Sequence, residues 1–153
     1  MALRRIMLYP KDNILRKRSK PVKSFDQQLN VLLNDMAETM YEADGMGLAA
    51  PQVGVLLRAV VIDTGTGLIK LVNPEILEME GEQQDEEGCL SISEIRRMVK
   101  RPFRVKVKAC DEHGEMFEMR GTSILARALC HEIDHLEGVL FIDKALPDIL
   151  RKG

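Results

Sequence analysis

Apolar residues recur in the first third of the chain at the three- and four-residue spacing of one helix face. This stripe consists of Leu29, Leu32, Leu33, Met36, Ala37 and Met40. It predicts a core-facing helix, which Ser24 or Asp26 can cap at its N-terminus. The helix is expected to end near Asp44 and Gly45, where glycine can take the left-handed conformation.

A second stripe near the C-terminus predicts another helix. Its members are Ile124, Leu125, Ala128, Leu129 and Ile133. Thr122 or Ser123 can cap this helix, which is expected to run to about Leu136 and to stop at Gly138.

Between the two helices the pattern changes to the two-residue period of strands. Residues 104–110 alternate valine and alanine with lysine, which predicts a half-buried strand. Shorter strands are expected at 58–63, 68–72, 75–80 and 115–120, with a break at Asn73-Pro74 and an acidic turn at 81–87. The order helix, strands, helix predicts an α+β fold, with mainly antiparallel strands around the C-terminal helix.

Length and charge exclude several classes of protein. The 153 residues fit one domain, and the net charge of −2 argues against binding nucleic acid through general attraction to phosphate. No apolar run reaches the roughly 20 residues of a membrane-spanning helix, and basic residues interrupt the N-terminus where a signal peptide would need an apolar core. A cytoplasmic protein is expected, in which the three cysteines stay reduced.

Residues 131–135 read His-Glu-Ile-Asp-His and carry the clearest chemical signal. His131 and His135 are four residues apart on a predicted helix, so both imidazoles can reach one metal ion. Glu132 lies beside the first ligand and can contact a water molecule at the metal.

A catalytic site of this type needs a third protein ligand. Downstream, the position that metalloproteases fill with histidine holds Phe141, and Asp143 and Asp148 are weak candidates. Upstream, Cys89 offers a thiolate, and Gly88 lets its backbone approach a metal closely.

Three segments together resemble the peptide deformylases. They are 45–52 (Gly-Met-Gly-Leu-Ala-Ala-Pro-Gln), 87–91 (Glu-Gly-Cys-Leu-Ser) and the 131–135 motif. The resemblance implies removal of the formyl group from the formylmethionine of nascent proteins, with release of formate. It implies metal ligation by Cys89, His131 and His135, proton transfer by Glu132, and oxyanion stabilisation by the Gln52 amide and the Leu90 N–H.

The resemblance also implies the substrate site and the partners. The substrate-binding residues are expected to be Gly45, Met46, Gly47, Glu87, Leu125 and Ala128. Glu87 is further expected to pair with Arg96 or Arg101 and so brace the Cys89 loop. One divalent ion is implied, Fe²⁺ physiologically, with Zn²⁺, Ni²⁺ or Co²⁺ as substitutes. Ribosome contact has weak support, since the tail after Lys144 is short, although the basic arm at residues 1–23 or Arg151-Lys152 could assist it.

Two other readings stay open on the residues alone. A metalloprotease that cleaves internal peptide bonds uses the same nucleophile and base, but lacks the downstream ligand. A non-enzymatic peptide-binding module with a structural metal site would have a closed coordination shell and no need for Glu132 or Gln52.

Overall fold

The computed structural model describes residues 2–147 and has an α+β fold in which each strand pair is antiparallel. The helices are α1 (Gln27–Glu42) and α2 (Ile124–Leu136). The strands are β1 (Gly47–Ala49), β2 (Ala59–Ile62), β3 (Ile69–Glu80), β4 (Gln83–Cys89), β5 (Ile92–Arg101), β6 (Arg104–Cys110) and β7 (Met116–Thr122). The predicted fold class is therefore confirmed. Asp148, Arg151 and Lys152 lie outside the described residues.

A five-stranded sheet in the order β1-β2-β3-β6-β7 separates the two helices. Successive side chains of a strand point to opposite faces, so both faces of β2 can be covered. Val60 and Ile62 pack in the cluster that contains α2, whereas Ala59 and Val61 pack in the cluster that contains α1. This double coverage explains why β2 is apolar without alternation.

Helix α1 begins as predicted and ends differently. The Asp26 side chain accepts a hydrogen bond from the Leu29 N–H at 3.1 Å, which satisfies a free donor of the first turn. At the other end Asp44, not Gly45, takes the left-handed conformation (φ 57°). Gly45 is needed for another reason, since a Cβ there would lie 2.7 Å from Cδ1 of Leu90.

Strand β3 passes through Asn73-Pro74, where a break was predicted. Asn73 has a φ of 53°, and the pairing with β6 shifts register between Val72 and Glu75. The Asn73 side chain bonds both the N–H and the carbonyl of Val22. Pro74 is therefore accommodated in a β-bulge of strand β3, and the hydrogen bonds between Asn73 and Val22 stabilise this bulge.

The acidic segment at 81–87 was predicted as a turn, but most of it is strand β4, which pairs with β5 in a separate two-stranded sheet. Basic residues of β5 balance its charge, as in the pairs Lys100–Glu82 and Arg96–Glu86. The hydrophobic pattern missed this strand because β4 has little apolar alternation and owes its position to a partner strand.

Helix α2 begins after Ser123, whose side chain makes no capping hydrogen bond. Its apolar face packs against β2, β3 and β6, and Gly138 follows its end with a φ of 74°. Within residues 2–147, neither helix is long and apolar enough to cross a membrane.

The left-handed conformation of Asp44 generates a stability prediction. Glycine adopts a positive φ without cost, whereas alanine in this region costs about 1 kcal/mol. Urea unfolding should therefore rank Asp44→Gly above Asp44→Ala by about 1 kcal/mol, with the natural residue between them. Equal stabilities of the two variants would contradict this account of the helix end.

Candidate metal centre

Cys89, His131 and His135 come together at one point, where the β4–β5 hairpin meets α2. Their candidate ligand atoms all lie within 4.8 Å of one another. Cys89 Sγ lies 3.4 Å from Nε2 of His135. Both histidines are buried on the same helix face, as their four-residue spacing predicts.

A buried carboxylate fixes the orientation of His131. Nδ1 of His131 lies 2.8 Å from Oε1 of Glu87, so Nε2 is the nitrogen left to face the cluster. Arg101 donates to both Glu87 oxygens at 2.8 and 2.9 Å, and Arg127 donates to Oε2 at 2.6 Å. These donors hold the pKa of Glu87 well below its usual range, against the opposing effect of burial.

The expected Glu87–Arg101 pair is thus confirmed, whereas Arg96 pairs with Glu86. Glu87 was also placed among the substrate-binding residues. Both of its oxygens are already bonded, and the residue is only 4% exposed. Glu87 thus braces the cluster, and it also lies among the residues that line the cavity beside Cys89 and His131.

The sequence did not indicate several of the contacts that support the cluster. Arg127 points inward and donates to the Val99 carbonyl, and Arg101 also bonds Asp134 at 2.6 Å. The Phe141 ring stacks on His131 with centroids 6.0 Å apart. Arginines are common on protein surfaces and aromatic residues are common in cores. Only their proximity to the cluster in the folded chain therefore marks these residues as part of the site.

Glu132 lines the same cavity as Cys89 and His131. It is buried, and its Oε1 has no hydrogen-bond partner within residues 2–147. Burial raises the pKa of Glu132 to about 7, near the value at which a carboxyl group can both accept and return a proton. Gly47 is tightly packed against this carboxylate, and a Cβ at Gly47 would collide with it.

The donor set fits a divalent cation. A thiolate and two imidazoles are ligands that zinc-type sites use with one position left open. Burial lowers the pKa of His135 well below its usual value. A neutral imidazole is the form that binds a metal. Glu132, whose buried Oε1 has no hydrogen-bond partner within residues 2–147, lines the same cavity as two of these donors, Cys89 and His131.

Gln52 is held against the cluster by three hydrogen bonds. Its Oε1 accepts from the Ala49 N–H at 2.9 Å, which fixes the orientation of the amide. Its Nε2 lies 3.4 Å from Cys89 Sγ and 3.1 Å from Ser91 Oγ. The side-chain N–H groups of Gln52 therefore point toward the space around the candidate metal.

The cluster opens into a cavity of about 510 Å³. Its walls include Gly45, Met46, Gly47, Leu90, Ile124 and Ala128. Leu125 was expected there but packs into the core beside Gly121. Ile124, Ala128 and His131 share one helix face, and Leu125 is rotated by about 100° around the axis from Ile124.

Comparison with known proteins points to one family. A model of the family "Polypeptide deformylase" matches residues 3–148. A peptide deformylase of Caldicellulosiruptor bescii is 60% identical over 146 residues, which cover 95% of this chain and 87% of that protein. A peptide deformylase of Acetivibrio thermocellus is 61% identical over 135 residues, covering 88% of this chain and 79% of that protein.

Solved structures give the same result. The crystal structure of the Thermotoga maritima peptide deformylase superposes with a TM-score of 0.92 at 46% identity, covering 95% of this chain and 99% of that one. The crystal structure of the Synechococcus elongatus peptide deformylase in complex with actinonin superposes with a TM-score of 0.90 at 41% identity. The match covers 94% of this chain and 79% of that one. The similarity therefore extends over nearly the whole chain.

The buried charge network generates a prediction for Glu87→Gln. Removing this charge leaves two buried arginines without their shared carboxylate, which should lower the free energy of unfolding by about 3–5 kcal/mol. Replacing the charged partner of His131 by a neutral amide should weaken metal binding by about 10- to 100-fold. Chemical denaturation and competition with a chelator measure the two effects. The neighbouring Glu86→Gln, at an exposed pair, should cost less than about 1 kcal/mol.

Proposed function

The chain belongs to the peptide deformylase family, and we propose how its own residues carry out that family's reaction. Peptide deformylases remove the N-formyl group of nascent peptides, and this chain is such an enzyme. We assign the metal to Cys89, His131 and His135, and proton transfer to Glu132. The observation that carries the assignment is the buried Glu132 carboxylate, unpartnered at Oε1 and adjacent to three convergent metal donors.

Glu132 handles the protons in this proposal. A bound divalent metal supplies a Lewis acid, which lowers the pKa of water to about 7 and polarises a carbonyl oxygen. The Glu132 carboxylate accepts a proton from the attacking water and then delivers it to the amine nitrogen as the C–N bond breaks. A pKa of about 7 suits both halves of this cycle.

Gln52 and Leu90 stabilise the developing negative charge. The Nε2 group of Gln52 lies beside Cys89, and Ala49 prevents the amide from turning round. Leu90 follows Cys89 in the turn between β4 and β5, so its N–H is the second proposed donor. Such a donor is typically worth about 3–4 kcal/mol in the transition state.

The substrate extends along β1. This strand lies at an edge of the five-stranded sheet, where an incoming peptide can add as a further strand. Gly45 and Gly47 keep this edge free of side chains, and the absence of a Cβ at Gly47 leaves room for Glu132. Met46, Ile124 and Ala128 then offer apolar contacts to the methionine side chain.

The Cys/His₂ donor set bears on which metal is bound. We propose Fe²⁺ as the physiological ion, with Zn²⁺, Ni²⁺ and Co²⁺ as functional substitutes, because a Cys/His₂ donor set accepts all four. A ferrous site with a thiolate ligand is expected to be oxygen-sensitive, since Cys89 itself can be oxidised.

The formylated nascent peptide, as substrate, indicates where the enzyme works and what it contacts. We propose residues 1–153 as one catalytic domain that works in the cytoplasm, where nascent chains are made and the Cys89 thiol stays reduced. Its partners are formylmethionyl nascent peptides. We further propose transient ribosome contact through the basic arm, and we expect no membrane or direct nucleic-acid binding.

The first test is formate release from a formyl-Met-Ala-Ser peptide by anaerobically purified protein, with and without added Fe²⁺. Release should depend on the metal. Glu132→Ala should retain metal and lose about 10²- to 10⁴-fold in kcat, because general acid–base catalysis is removed. The exposed Glu115→Ala serves as a matched control and should be unaffected. No release by a folded, metal-loaded sample would refute the proposal.

Gln52 provides a second test. Gln52→Ala should lower kcat by about 10²- to 10³-fold with little change in KM, because an oxyanion donor acts mainly in the transition state. Steady-state kinetics at matched metal content measure the effect. Gln84→Ala, an exposed amide on β4, is the control. A roughly 10²- to 10³-fold increase in KM at unchanged kcat would instead show that Gln52 acts in ground-state binding of the substrate.

A further inference from the structure

The N-terminal arm crosses the back of the site and contacts both of the loops that carry its polar groups. We call residues 7–9 the strap. The Met7 N–H donates to the Gln52 carbonyl at 2.7 Å, and the Tyr9 N–H donates to the Ser91 carbonyl at 2.9 Å. Gln52 and Ser91 are 39 residues apart in sequence, and the strap joins their backbones directly.

The two bonds come from residues two apart in the strap, Met7 and Tyr9. The Leu8 N–H between them donates instead to the Asp12 side chain at 2.8 Å, and the Leu8 carbonyl accepts from the Asp12 N–H at 2.8 Å. The strap therefore links the Gln52 and Ser91 carbonyls through one two-residue step of backbone.

A third bond closes the arrangement into a ring. Gln52 Nε2 lies 3.1 Å from Ser91 Oγ, so the same two residues are linked once through side chains and once through the strap. Cys89 Sγ, 3.4 Å from the same Nε2, lies at the edge of this ring. A change in the Gln52–Ser91 separation would therefore also move the Gln52 amide relative to the metal ligand.

Both ends of the strap are anchored. On the N-terminal side, the Arg4 N–H donates to Thr39 Oγ1 and its Nε donates to the buried Asp35, both at 2.9 Å. On the other side, the Arg16 guanidinium lies 5.3 Å from the centre of the Tyr9 ring and pairs with Asp143. These contacts restrict sliding of the arm, as a spacer between two loops requires.

We propose that the strap is a positioning element for the deformylation reaction, which sets the distance between the Gln52 and Cys89 loops and so aims the Gln52 amide. This inference rests on the proposed function. Met7 and Tyr9 act through backbone N–H groups and touch no reacting atom, so they are positioning residues rather than catalytic ones. The inference gives the arm a function that its basic composition does not indicate.

The test replaces the Met7 amide by an ester, which removes the N–H donor and leaves the side chain in place. The same replacement at Ile6 is the control. With the metal-loaded full chain, the Met7 ester should lower kcat roughly tenfold at unchanged KM, a fraction of the 10²- to 10³-fold value of a whole oxyanion donor. In a Gln52→Ala background it should cost nothing further, because the group that the strap positions is absent.

A second readout does not depend on activity. In zinc-loaded protein, the NMR signals of the ¹⁵N-labelled Gln52 side-chain amide should shift or broaden in the Met7 ester and stay unchanged in the Ile6 ester. The proposed role of the strap would be overturned if kcat and the amide signals were unchanged in the Met7 ester. It would also be overturned if the ester lowered kcat equally in the natural and the Gln52→Ala proteins. Absence of formate release from the unmodified protein would instead refute the proposed function, and the amide signals would still report on the strap.

Discussion

The Glu87 carboxylate is the interaction on which the rest of the site depends. It lies at the meeting point of β4, β5 and α2, where it binds Arg101, Arg127 and the imidazole of His131. An isolated buried charge is costly, so each of these groups is stable in the interior only because the others are present. The network therefore ties the hairpin that carries Cys89 to the helix that carries the histidines, and it presents one ring nitrogen to the cluster.

The two neighbouring acids have opposite environments. Glu87 is surrounded by cations and keeps its charge, whereas burial raises the pKa of Glu132 to about 7. Environment thus separates a structural carboxylate from one suited to exchange protons. Gln52 completes the polar side of the cavity, and its own position depends on a bond from the Ala49 N–H and a bond to Ser91 Oγ. Ala49 and Ser91 thus orient Gln52, as Glu87 orients His131.

The sheet explains why so small a chain can hold these groups in place. Helices α1 and α2 cover opposite faces of the sheet around β2, which buries apolar side chains on both sides. The glycine-containing segment before and within β1 then lies at the sheet edge beside α2. Gly47 allows it to pack directly against Glu132, where a Cβ would collide with the carboxylate, and Gly45 packs against the Leu90 side chain. The open edge, the proton-transfer residue and the ligands are therefore fixed relative to one core.

The sequence by itself determined the features that depend on local periodicity. The four-residue spacing of His131 and His135 places them on one face of any helix, and the strand at residues 104–110 follows from strict alternation. The three motifs also identified the family. Only the tertiary structure decided what depends on distant partners. It paired the acidic β4 with a basic strand, turned Ile124 rather than Leu125 toward the cavity, and brought the strap against Gln52 and Ser91. Backbone bonds such as these have no local sequence signal, because every residue except proline carries the same N–H group.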